Sequence, residues 1–103
     1  MEFRETPIYT GDVNAIFTDD EYRELQNFLV EHPKSGDVIK GSGGLRKLRW
    51  KLPDGGKSGG VRNIYYYYES ESVIYMIYIY KKSKMEDLTP KQIELLRKRF
   101  LGE

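Results

Sequence analysis

A chain of 103 residues, 39% hydrophobic and 32% charged, fits one compact domain and leaves no room for a second. It contains no cysteine, which excludes disulfides and thiolate metal sites and accords with a reducing cytoplasm. The longest apolar run, residues 73–80, is far short of the ~20 residues of a membrane-spanning helix, and the charged opening residues lead into no apolar signal segment, so no membrane role is expected.

In chain order, residues 2–9 form a first strand, which Pro7 confines to a sheet edge and Thr10-Gly11-Asp12 breaks. Thr18 and Glu21 make a capping box that opens a helix with Tyr22, Leu25, Phe28 and Leu29 on its apolar face; Pro33 ends it. Asp19, Asp20 and Glu21 serve that helix's first turn, and the single histidine, His32, reads as a residue of its C-terminal cap. With the acids on helical faces, neither a metal nor any other cofactor is expected. Residues 45–52 form a strand that sends Lys47, Arg49 and Lys51 to one side and Arg46, Leu48, Trp50 and Leu52 to the other. Pro53-Asp54-Gly55-Gly56 is a turn, extended by Lys57-Ser58-Gly59-Gly60. Val61–Tyr68 and Val73–Lys81 pair as a hairpin across Glu69-Ser70-Glu71-Ser72. Thr89, Pro90 and Gln92 open a last helix with Ile93, Leu96 and Phe100 in its stripe and Leu95 alongside. The order β-α-loop-β-β-β-α defines an α+β fold, an antiparallel sheet packed by helices. Helices cover one face, and the other, rich in tyrosine and flanked by cations, is left for a ligand or partner.

The net charge of +1 conceals a split along the chain. The first third (residues 1–33) carries two Arg against eight acids, a balance of −6. Residues 34–68 carry eight Lys/Arg against two acids, a balance of +6, and the remainder is +1. Lys34, Lys40, Arg46, Lys47, Arg49, Lys51, Lys57 and Arg62 sit among glycine turns and run into Tyr65-Tyr66-Tyr67-Tyr68. Cations for phosphate, flexible backbone and aromatic faces for unstacked bases are the groups that bind single-stranded nucleic acid. The same tyrosines are also good strand formers, and for any single one of them core packing or cross-strand pairing is the favoured account over base stacking.

Three blocks in register carry a family resemblance. Gly43-Gly44-Leu45-Arg46-Lys47-Leu48-Arg49, then Lys57-Ser58-Gly59-Gly60-Val61-Arg62-Asn63-Ile64-Tyr65-Tyr66, then Ile79-Tyr80-Lys81-Lys82-Ser83-Lys84-Met85-Glu86-Asp87-Leu88 resemble the RelE/HigB superfamily of bacterial toxins, most closely its HigB-type branch. The resemblance spans residues 18–100. It implies a microbial-ribonuclease-like sheet with helices on one face and the substrate cleft on the other. It also implies the toxin of a type II toxin–antitoxin system, a ribosome-dependent, metal-independent endoribonuclease that inhibits translation by cutting mRNA in the ribosomal A site. In that chemistry the ribose 2′-hydroxyl attacks the adjacent phosphate and leaves a 2′,3′-cyclic phosphate. The partners implied are a helix-turn-helix, HigA-like antitoxin, the 70S ribosome and mRNA.

Carried over by motif, the family's basic pair falls on Lys47 and Arg49, its central arginine on Arg62 and its cation after the last strand on Lys82. Fixed cations of these kinds offset the charge gathered on a phosphoryl-transfer transition state. Arg46, Lys51, Lys57 and Lys84 are expected to hold RNA electrostatically, with Tyr80 as a further RNA contact. Some members carry a tyrosine or histidine near the C-terminus as base or acid; residues 82–103 contain neither. Proton transfer is then open to a lysine (Lys47 or Lys82), to Tyr80 or another upstream tyrosine, or to water after ribosomal positioning. A second reading, a non-catalytic RNA- or ribosome-binding module, uses the same cations; Arg62→Ala separates the two by cleavage against binding. A nucleotide-hydrolysing poison is disfavoured, because Gly56-Lys57-Ser58 has Lys51 where a phosphate loop needs glycine.

Overall fold

The computed structural model describes residues 1–52, 60–85 and 87–102, so the expected turn around residues 53–59, with Lys57, lies outside the described residues. In chain order the elements are β1 (Glu2–Glu5), α1 (Pro7–Ile16), α2 (Asp19–Glu31), β2 (Asp37–Val38), β3 (Arg46–Trp50), β4 (Val61–Tyr68), β5 (Val73–Lys81) and α3 (Pro90–Leu96). α3 runs on as a π-helical turn over Arg97–Leu101. The fold is mixed α+β: a five-stranded sheet of order β1-β5-β4-β3-β2, packed by the helices. β1 lies parallel to β5, and the other neighbours are antiparallel.

The hairpin strands and both capping boxes form where the sequence predicts them. The first strand does not. It ends at Glu5, and residues 7–9, expected to extend it, begin a helix that runs through Thr10-Gly11-Asp12. Thr6 is the N-cap, its Oγ1 accepting from Tyr9 N at 3.1 Å, and Pro7 takes the first helical position, where its missing N–H costs nothing. Tyr9 and Val13, four residues apart, then share the buried side of α1. Thr6 also donates to the carbonyl of Ile77 at 2.8 Å, fastening the start of α1 to β5.

Each face of the sheet has its own core. On the first, Tyr9, Val13, Phe17, Leu25 and Leu29 from the two N-terminal helices and their connection meet Leu48, Val61, Tyr65, Met76 and Ile79. On the second, Leu45, Ile64, Ile77, Tyr80 and Leu88 are buried, with Ile93, Leu96 and the half-buried Phe100 packed against them. Leu95 points away from this core, 59% exposed. A register shift between Ile64 and Tyr65 pairs Ile64 with Tyr78 but Tyr65 with Met76. Ile77 is the extra residue of this bulge, and it and Tyr78 both join the second core. The expectation of helices on one face alone is therefore corrected: α3 covers the tyrosine-rich part of the second face. The rings act there as packing. Tyr65 is fully buried on the first face, donating to Pro33 O at 2.8 Å and accepting from Gly36 N at 2.9 Å, while Tyr66 meets Tyr68 edge-on.

Candidate active site

The part of the second face that α3 leaves open is cationic. Because side chains alternate along β3, burying Leu48 on the first face turns Lys47 and Arg49 to the second. Register completes the row: Arg49 stands opposite Arg62 on β4, and Arg62 opposite Tyr80 on β5. Like charges directly across a ladder are unfavourable, so this Arg–Arg juxtaposition works against stability and suits an anionic ligand. Lys82 closes the group from the turn after β5, where its N–H donates to Gly60 O at 3.1 Å. The chain curls at this point, Lys84 N and Met85 N both donating to Lys81 O at 3.0 and 3.2 Å, and so returns over the sheet. Lys47, Arg49, Arg62, Lys82 and Asp87 line one open cavity of about 270 Å³.

Gly60 sets the spacing of the row. Its φ is +72°, and a Cβ there would fall 2.3 Å from the carbonyl oxygen of Trp50. Only glycine lets the chain enter β4 this close to the end of β3. Arg62 itself is 7% exposed, and one terminal nitrogen donates to Val61 O at 3.3 Å. Its buried neighbour Asn63 is held by Tyr9, whose hydroxyl donates to Asn63 Oδ1 at 2.7 Å, so α1 braces β4 beside the arginine.

Asp87 is the acid that the sequence reading left without a role. Its Oδ1 lies 3.1 Å from Lys47 Nζ and accepts from Leu88 N at 2.9 Å. Lys47, through this hydrogen bond first, holds the Asp87 carboxyl below the usual carboxylate range, assisted by the Leu88 N–H and the charge of Arg62. Tyr80, 5% exposed, has a buried hydroxyl without a hydrogen-bond partner among the described residues. Burial first, then the Asp87 carboxylate, push this phenol up to about 12, against the opposing pull of Arg62.

The structure thus brings together Lys47, Arg49, Arg62 and Lys82, with Tyr80 behind them. It does not bring in Arg46, which stands opposite Tyr65 on the first face and donates to the carbonyls of Lys34 and Gly36 at 3.1 and 2.8 Å. That guanidinium fastens a loop on the side of β3 where alternation places it, apart from the cations of the cavity that were expected to hold RNA with it. Lys51 and Lys84 are exposed just beyond the ends of β3 and β5. His32 is the C-cap of α2, its ring 5.0 Å from Phe28, and is not among the residues lining the cavity. Among the described residues no group of three or more His, Asp or Glu side chains gathers as a metal site, and no helix is long and apolar enough to cross a membrane.

The fold recurs in solved toxin structures. A double arginine-to-alanine mutant of E. coli toxin RelE in the free state is similar over 96% of this chain and 96% of its own, with a TM-score of 0.61 and 16% identity. A chain of the intact E. coli RelBE toxin–antitoxin complex is similar over 78% of this chain and 94% of its own, with a TM-score of 0.56 and 16% identity. At such identity these likenesses establish the architecture alone. The family described as "RelE toxin of RelE / RelB toxin-antitoxin system" matches residues 30–100, and this chain belongs to it. It is the toxin of a toxin–antitoxin system, a family whose partner is an antitoxin.

Proposed function

We propose that this single-domain toxin is a cytoplasmic, ribosome-dependent mRNA endoribonuclease of the HigB-type branch, silenced by a HigA-like helix-turn-helix antitoxin. The observation that carries the reading is the gathering of Lys47, Arg49, Arg62 and Lys82 in one cavity at the uncovered end of the sheet. A cavity of that charge fits a phosphodiester, and three of its cations come from paired strands whose spacing is fixed. In the reaction, the 2′-hydroxyl attacks the neighbouring phosphorus, the 5′ oxygen departs, and a 2′,3′-cyclic phosphate remains. Arg62 and Arg49 engage the nonbridging oxygens, a guanidinium being able to do so through two parallel hydrogen bonds, and Lys82 supplies a further positive charge. These side chains furnish the charge stabilisation that a metal would otherwise supply, so the activity is expected to be metal-independent. Lys51, Lys84 and Lys57 flank the cavity in sequence and suit the RNA backbone on either side. Tyr80, a neutral phenol whose hydroxyl is buried behind the cavity, is not suited to act as the base.

The open form of the cavity supports a reading in which the ribosome places the substrate. Among its described lining residues there is no aromatic face on which a base could stack, so placement of the mRNA falls to the ribosomal A site. Primer extension on naked and on translated mRNA, with the purified protein, tests this. Cleavage is expected only during translation, with cyclic phosphate at the new 3′ ends. Equal cleavage of both RNAs would rule the reading out.

A further inference from the structure

The cationic cavity contains one carboxylate among its described lining residues, and that carboxylate is oriented, not merely nearby. The contacts to Asp87 from the described residues, Lys47 Nζ at 3.1 Å and Leu88 N at 2.9 Å, both end on Oδ1. Oδ2 accepts from none of the described residues, on a side chain that is 65% exposed. The two restraints come from independent parts of the fold. Lys47 is on β3, and its own side chain is only 22% exposed. Leu88 is buried in the second core, one residue before the Thr89 cap of α3. A carboxylate fixed through one oxygen, with the other free to accept, has the form a proton acceptor needs.

Building on the ribonuclease reading above, we propose that Asp87 is the general base of the cleavage and that Lys47 is the positioning residue that aims it. Asp87 Oδ2 takes the proton of the 2′-hydroxyl as the O2′–P bond forms and the P–O5′ bond breaks. Water protonates the departing 5′ oxygen, and Asp87 returns its proton to solvent. The other groups around the cavity are poorly suited to this step. Arg49 and Arg62 are guanidinium donors with no acceptor. Lys47 is engaged by Asp87 itself, Lys82 is a cation for the phosphate, and Tyr80 is a phenol raised to about 12. Among the described residues, Lys47, Arg49, Arg62 and Lys82 share the cavity with Asp87, and Tyr80 lies behind them on β5. Their positive balance keeps Asp87 ionised, and so able to accept, throughout the neutral range.

The assignment is tested by single-turnover cleavage on programmed ribosomes, with binding of toxin to the ribosome measured separately. Asp87→Asn should slow cleavage by about 10²- to 10⁴-fold with binding unchanged, since the amide cannot take the proton. Asp87→Glu, which keeps a carboxylate on a longer stem, should recover part of the loss. Lys47→Met should slow the wild type, yet add little in the Asp87→Asn background, because two residues acting as one unit are not additive. An mRNA with sulfur in place of the bridging 5′ oxygen at the cut site separates base from acid. A thiolate leaves without a proton, so such a substrate should not rescue Asp87→Asn. Wild-type or faster cleavage by Asp87→Asn would overturn the proposal, faster cleavage marking Asp87 as a mere occupant of the phosphate position. Rescue by the sulfur substrate would overturn it too. If the wild type itself leaves ribosome-bound mRNA intact, the ribonuclease reading fails and this assignment with it, whereas an inert Asp87→Asn exchange leaves that reading standing.

Discussion

Gly60 is where the fold's energetics and the site's geometry meet, and its replacement by alanine tests both. A side chain at φ +72° sits in the left-handed region, at a cost of about 1–2 kcal/mol. The added Cβ would also lie 2.3 Å from the backbone oxygen of Trp50, so the ends of β3 and β4 must separate. Relief by backbone movement in a packed region costs roughly 1–3 kcal/mol more. Gly60→Ala is therefore expected to lose about 2–5 kcal/mol in urea unfolding at an unchanged m-value. Gly11→Ala is the matched control. Gly11 lies inside α1, a Cβ there would meet nothing within 4 Å, and the exchange should stabilise by about 0.5–1 kcal/mol. Separating the strands should also part Arg62, two residues beyond Gly60, from its cross-strand neighbour Arg49. Cleavage by the fraction that remains folded should then fall as well. A Gly60→Ala protein within 0.5 kcal/mol of wild type would refute this account of how the row is spaced.

Arg62→Met keeps most of the buried stem and removes the guanidinium, so cleavage should fall by about 10²- to 10³-fold while circular dichroism and antitoxin binding persist; retained cleavage would remove Arg62 from the reaction. Tyr9→Phe strands the fully buried Asn63 Oδ1 and should cost about 1–3 kcal/mol in denaturant melts, whereas a neutral result would mean that Asn63 finds another donor. Asp87 has a lowered carboxyl pKa in the fold, so its contribution to stability is complete above the ordinary Asp value of 3.8 and is lost as the pH falls through the lower folded value. Wild type and Asp87→Asn should accordingly differ by less than about 1 kcal/mol at neutral pH, given the exposure of the pair, and converge in acid; a gap that widens on acidification would contradict the Lys47 ion pair. If an acidic antitoxin segment silences the toxin by entering the cavity, the combined changes Arg49→Ser and Lys82→Ser should weaken antitoxin affinity several-fold, and added salt should weaken it further. Affinity unmoved by either would favour exclusion from the ribosome by bulk.

The hairpin was legible to the residue because strand propensity, alternation and a polar turn agree over Val61–Tyr68 and Val73–Lys81. Both capping boxes were legible for a similar reason: the hydrogen bonds of a cap are local, so its sequence is sufficient. The same local signal stands at Thr6-Pro7, against the strand-like look of Ile8-Tyr9-Thr10. A threonine before a proline, as at Thr89-Pro90, was the signal that α1 begins there, and the buried pair Tyr9 and Val13 was the confirmation. The bulge was harder to read. Alternation alone puts Ile77 and Tyr78 on opposite faces, and only the pairing with β4 shows that both join one core.

The site divides along the same line between what is local and what is not. That Lys47 and Arg49 share a side follows from the period of a strand, and their coming together with Arg62 follows from register. The fate of the second face did not follow, because nothing in the tyrosine strands says whether a helix or a ligand covers them. α3 decides it, covering the tyrosines and stopping short of the cations, so that aromatic and basic residues expected to share one RNA surface have separate tasks. Asp87 lies forty positions beyond Lys47 and meets it only because the chain curls back after β5, with Leu88 anchoring the return. A carboxylate in a basic motif reads, in sequence, as a charge that weakens the motif. Held by one oxygen against Lys47, it instead gives the cavity an acceptor that its four cations lack, and cleavage by the ribose 2′-hydroxyl needs both kinds of group.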